Sequence, residues 1–167
     1  MPDSRTHTCV GITAGLGFAA YKAKEQTGLD FFVEIVGGAI GGWPGAKLPD
    51  VFEPAISSWH RSTAHSMAAG GAIVSQTARL DTFTAFCREQ AESCKANPRR
   101  ILMVPVDGRA ILLELSEGVG NFLSKVEELF WRFLAGFANG LAAGYISHLA
   151  LDASIGKRGI PLLARGF

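Results

Sequence analysis

Residues 117–154, EGVGNFLSKVEELFWRFLAGFANGLAAGYISHLALDAS, are the longest stretch that reads as one kind of structure, a helical region opened by Ser116. Its spacing predicts a long helix bent or broken at one of its glycines. Within it, Phe133 to Leu151 runs 19 residues without a formal charge, about the length a membrane span needs. Asn139, Ser147 and His148 interrupt that run, and much of the rest is Gly and Ala, so its transfer energy into lipid is weak. A buried, tightly packed helix accounts for it at least as well.

Outward from this segment, helices dominate. Residues 7 to about 25 read as a first helix, with Thr6 as its cap and Gly28 after its end. A second runs from about Phe31 through VGGAIGG and is ended by Trp43-Pro44, its glycines suited to close approach by a neighbouring helix. A loop follows through KLPDVFEPAISSWHR, where Pro49 and Pro54 exclude a long regular element. A third helix is expected from Ser62 or Thr63 to about Lys95, with an apolar face in ARLDTFTAFCREQAESCK. RRILMVPVDGRAILLEL is rich in branched residues around Asp107-Gly108, which suggests a short β-hairpin within 101–115. The tail, GKRGIPLLARGF, is irregular, since Pro161 excludes a helix. The fold class is therefore mainly α, a single helical bundle domain over residues 1–167.

Composition narrows the function. Lys plus Arg is 16 against Asp plus Glu at 15, so no net positive field draws in nucleic acid along the whole chain, and sequence-specific nucleic-acid binding is not expected. An anionic substrate has to be held by local groups. Cys9, Cys87 and Cys94 are odd in number and contain no C-x-x-C pair, which fits a reducing, cytoplasmic compartment and plain packing for Cys87 and Cys94. CVGITAGLGFAAY near the start has the apolarity of a signal peptide, but Asp3 precedes it and no clean cleavage box follows.

The residues capable of chemistry are four histidines and nearby acids. SHLALD places His148 and Asp152 at i and i+4, on one helix face, the spacing two metal ligands need. SSWHRSTAHS brings His60 and His65 close together around Arg61, LPDVFEP presents Asp50 in a rigid turn upstream, and His7 opens the first helix. Ordinary roles exist for each: a hydrogen-bonded His148–Asp152 pair, His60 beside Trp59, His65 on a carbonyl, Asp50 as a turn cap, His7 at a mobile terminus. Taken together, four His and two Asp are the donors that hold two divalent ions such as Zn²⁺ or Mn²⁺.

The ordered series THTCVG, LPDVFEP, HRSTAHS, GYISHLALD and GIPLL resembles the bacterial membrane-bound, metal-dependent hydrolase family often called YdjM-like. That family in turn looks like a distant relative of zinc-dependent phospholipase C and single-strand nucleases. The resemblance covers both ends and the centre of the chain, but not residues 80 to 115. It implies His7, Asp50, His60, His65, His148 and Asp152 as ligands of two or more divalent metals, with Arg61 beside them. Phe52 stands where the family often has a second acid, offset from Glu53; Ser62 replaces a Gly and Ala64 a Thr. The third helix, with Arg79, Asp81, Arg88 and Glu89, is too charged for a lipid-embedded span, which suggests a soluble or peripheral version of a membrane family.

The function expected is hydrolysis of a phosphodiester by a metal-activated water. Asp50 would hold a metal or take the proton, and Arg61 would neutralise charge on the phosphoryl oxygens. A small nucleotide or cyclic nucleotide is the favoured substrate, with phospholipid and a membrane surface as the other partners considered. Glycine-rich helices suit a monomer and a homo-oligomer equally. The alternative is a small helical membrane or binding protein in which the same residues hold a structural metal or none.

Overall fold

In the computed structural model, which describes residues 4–52, 66–107 and 109–155, the elements in chain order are α1 (Ser4–Lys22), α2 (Gly28–Phe52), α3 (Met67–Ser75), α4 (Thr77–Ala96), β1 (Ile101–Val106), β2 (Arg109–Glu114) and α5 (Glu117–Ile155). The mainly α class and the short hairpin are both as expected. Helix α5 is the spine, about 58 Å long at 1.5 Å per residue; α2 lies against it, α1 packs on both, and α4 covers another side of α5.

Glycine explains how these helices meet. On α5, Gly136, Gly140 and Gly144 face the backbone of α2 at Glu34, Gly38 and Gly42, and a methyl group at Gly140 would collide with the Gly38 carbonyl. Gly41 of α2 meets the Phe137 carbonyl in the same way, and Gly42 meets Gly11 of α1. The three helices thus touch backbone to backbone, with Ala19, Ala46 and Ala135 buried among them and Phe32, Trp43 and Phe122 turned outward. Of the expected bend or break at one of its glycines, a break does not occur: α5 is one helix of 39 residues.

Four boundaries differ from the sequence reading. Helix α1 begins at Ser4, so Thr6 lies inside its first turns rather than capping it. Helix α2 does not end at Trp43-Pro44 but continues through Pro44 and Pro49 to Phe52. A proline inside an isolated helix costs about 3 kcal/mol; here the helix is sandwiched between α1 and α5, and close packing along its length outweighs that. Asp50 therefore sits in the last turn of α2, not in a rigid loop. The third expected helix is two: Ser66 caps α3, its hydroxyl accepting from the Ala69 amide, and the chain turns at Gln76, whose N–H bonds the Ile73 and Val74 carbonyls, before α4 begins. Ser62 and Thr63, the expected caps, lie outside the described residues, as does the tail from residue 156.

The hairpin pairs Ile101 with Glu114 through Val106 with Arg109, and Asp107 takes a left-handed conformation (φ 47°) in its turn. Among the described residues, no helix is long and apolar enough to cross a membrane.

Candidate metal centre

Three helix ends meet at the C-terminal end of α5. His7 enters from the first turn of α1, His148 and Asp152 project from α5, and Asp50 reaches in from the last turn of α2. α2 runs antiparallel to α1 and parallel to α5, as the glycine contacts show (Gly15 with Gly42, Gly140 with Gly38, Gly144 with Gly42), so the N-terminal end of α1 and the C-terminal ends of α2 and α5 come together. His7, His148 and Asp152 are almost fully buried, at 6%, 1% and 2% exposure, whereas the side chain of Asp50 is 46% exposed. The centre is thus closed toward the bundle and open on the Asp50 side.

The distances indicate what the group is built for. Nε2 of His7 lies 3.5 Å from Oδ1 of Asp152, and Nε2 of His148 lies 3.6 Å from Oδ2 of Asp152 and 3.7 Å from Oδ1 of Asp50. These are too long for N–H···O hydrogen bonds. They match the edge of a tetrahedron, about 3.3–3.4 Å, around an ion bound at about 2.0–2.1 Å. One ligand atom from each of His7, His148 and Asp152 lies within 4.8 Å of the others. The two imidazoles stack, centroids 3.9 Å apart, an arrangement that two protonated rings would oppose.

The tautomer is set by the backbone. His148 Nδ1 donates to the Ala46 carbonyl at 2.6 Å, so the lone pair is on Nε2, the nitrogen facing Asp50 and Asp152. A backbone carbonyl on the far nitrogen is the usual outer support of a metal-bound histidine. Burial lowers the pKa of His148, with the neighbouring His7 acting in the same direction, against the opposing pull of Asp50, the Ala46 carbonyl and Asp152. The neutral form so favoured is the one that binds metal. Nδ1 of His7 is buried with no hydrogen-bond partner among the described residues. Donor type, spacing and tautomer all fit a divalent ion held by His7, His148 and Asp152, with Asp50 at the margin.

Of the sequence candidates, the structure brings together His7, Asp50, His148 and Asp152. His60, Arg61 and His65 lie outside the described residues. The first described residue after them, Ser66, is buried, and α3, which it caps, leans on the same end of α5, where Gly70 nears Leu149.

A second buried polar cluster was missed. Glu34 of α2 is fully buried and accepts a forked pair of hydrogen bonds from Arg88 of α4, the shorter at 2.6 Å. Arg132 of α5, 1% exposed, pairs with Glu92 and lies 3.3 Å from Asp30 and 3.6 Å from Glu34. The signal for it in the sequence was a charge inside an apolar run, Glu34 in FFVEIVGG and Arg132 in LFWRFLAG.

Compared with known proteins, the chain matches no family model, no curated protein and no solved structure. Fold and site together define a mainly helical protein with a His-His-Asp group that could hold a metal ion.

Proposed function

We propose that the protein is a metal-dependent phosphodiester hydrolase of the YdjM-like type. The observation that carries this reading is the spacing of imidazole nitrogens and carboxylate oxygens at 3.5–3.7 Å around a shared space. His7, His148 and Asp152 would hold a divalent ion, Zn²⁺ or Mn²⁺, and His60 and His65 would complete the set for a second. Such ions supply a water acidified to near neutrality and a positive field facing a phosphate. Asp50, at the solvent-facing margin, would take a proton or share a metal. Arg61 would balance charge on the phosphoryl oxygens.

A second reading, a structural metal without catalysis, draws on the near-complete burial of the three inner ligands, since structural sites are closed and catalytic ones keep an open position. The exposure of Asp50 favours the first. Loading the protein with zinc or manganese and assaying cyclic dinucleotides, short single strands and phospholipids decides the matter. Turnover that disappears in Asp50→Asn while metal content stays measurable supports hydrolysis; stoichiometric metal with no turnover of any of them establishes the structural reading.

A further inference from the structure

The β1–β2 hairpin leads directly into the N-terminal end of α5, the end away from the metal centre. Its base is fastened there: the Arg99 amide donates to Ser124 Oγ at 2.7 Å, and the Arg99 guanidinium bonds Glu127. Beyond the base, the strands lie against each other rather than against the helices. Met103 and Leu112, a cross-strand pair, are 65% and 62% exposed, and Ile101, Ile111 and Leu113 are exposed as well. A two-stranded hairpin standing alone in water is marginal; further strands or a covering layer stabilise it.

The hydrogen-bond pattern shows where a further strand would join. The Leu115 amide donates to the Arg100 carbonyl at 2.8 Å, and in an antiparallel ladder such bonded pairs recur at every second residue. In this register Leu102 bonds Leu113 and Val104 bonds Ile111, so the backbone groups of residues 101, 103 and 105, and of 110, 112 and 114, point outward. The two edges differ. Pro105 leaves the β1 edge short of a donor, whereas Ala110, Leu112 and Glu114 give the β2 edge an amide and a carbonyl at each outward position. Among the described residues, no other element bonds those groups.

We propose that the β2 edge is a dimer interface, joined by the β2 strand of a second copy of this chain about a twofold axis at Leu112. The proposal is independent of the hydrolase reading. Self-complementarity carries the choice of occupant. In an antiparallel pair centred on Leu112, that residue faces the partner's Leu112, and Ala110 faces the partner's Glu114, so every outward amide of one edge meets an outward carbonyl of the other. A centre at Ile111 or Leu113 leaves some of them unpaired. The strand begins with Arg109 and ends with Glu114, so the antiparallel arrangement brings the basic start of each strand to the acidic end of the other, where a parallel one would set like beside like. Across the four strands, Met103, Leu112 and their two counterparts form one apolar row. Growth stops there, because the outer edges carry Pro105, and the assembly is a closed pair rather than a filament. Of roughly 500 Å² of exposed apolar side chain on each hairpin, edge pairing covers only a part, so the dimer belongs with the small, concentration-dependent interfaces.

Sedimentation across the micromolar range, with amide exchange measured on the same samples, tests it. The wild type should pass from monomer to dimer as concentration rises, and the amides of Ala110, Leu112 and Glu114 should slow in step while those of Ile101 and Met103 exchange freely. Leu112→Pro removes an outward donor and leaves the hairpin's own bonds in place, as Pro105 does on the other strand. It should weaken the dimer at least about tenfold with helicity unchanged, and Leu112→Lys should do the same. Met103→Lys, on the same face but one strand away from the edge, should leave the dimer intact. A wild type that stays monomeric throughout, or a dimer indifferent to both Leu112 substitutions, overturns the proposal. Equal dissociation by Met103→Lys and Leu112→Lys also overturns it, since the copies would then meet through the sheet faces. So do edge amides that slow only when an extended peptide is added, which would make the occupant a different chain.

Discussion

Helix α5 carries two buried polar clusters, one around Arg132 near its middle and one around His148 near its C-terminal end, and they solve burial in opposite ways. Around Arg132 and Glu34 the charges touch: Arg88 bonds Glu34 at 2.6–3.2 Å, and Arg132 lies against Glu92 and Asp30. With Lys95 3.9 Å from Asp30, three cations face the three carboxylates, so the cluster is closed on itself. Around His148, imidazole nitrogens and carboxylate oxygens stand 3.5–3.7 Å apart, and the lone pair of His148 Nε2 faces Asp50 and Asp152. The first arrangement has its cations built in; the second has the geometry of one supplied from outside.

The largest effect should come from breaking the closed cluster. Removing one partner leaves an uncompensated charge in the interior, at about 3–5 kcal/mol, so Glu34→Ala and Arg132→Ala should each lower the stability found by urea unfolding by that amount. The loss should be the same in zinc and in chelator. A loss that zinc repairs would mean the clusters are not independent.

Next comes the response to metal. Wild-type protein with zinc at a hundredfold its dissociation constant should gain about 2.7 kcal/mol, read as a shift of the unfolding midpoint. His148→Ala and Asp152→Ala should lose that gain, while Arg88→Met should keep it although its starting stability is lower. An unchanged zinc response in Asp152→Ala would remove the basis for the metal centre. Asp50→Asn probes the open edge: its side chain is half exposed, and losing its charge should weaken zinc binding about 10- to 100-fold, as for groups that support a metal site from its margin, with little change in chelator.

The same contrast explains what could be seen in the sequence. His148 and Asp152 were legible because a helix spaces i and i+4 predictably, and His7 and Asp50 because they stand in short ordered motifs. The role of Ala46 was not legible, since any residue has a carbonyl and only the packed α2–α5 interface aims this one at His148. The path of α2 through Pro44 and Pro49 was misread because local propensity argues against it; the glycine contacts that sustain it pair residues about a hundred positions apart, such as Gly41 with Phe137. The Arg132 cluster joins α2, α4 and α5. No single segment contains enough of it to show.

The smallest effect concerns Cys87, which is fully buried on α4 beside Arg88. Burial raises its pKa, Glu34 adds to the rise, and Arg88 opposes it. The folded protein therefore holds the thiol proton more tightly than the unfolded chain does. Above the ordinary thiol value of about 8.5, the unfolded chain loses that proton first, so stability should fall as pH rises until the folded thiol also ionises. Cys87→Ala should flatten this alkaline slope, as followed by urea midpoints between pH 8 and 10, leaving the part that belongs to Cys94, whose pKa burial also raises. Replacing Glu34 by Gln removes the second cause and should shorten the alkaline decline without abolishing it, whereas Asp152→Asn, at the other cluster, should leave it untouched. An equal response to both substitutions would show that the closed cluster and the open one share a field, and the distinction between them would fail.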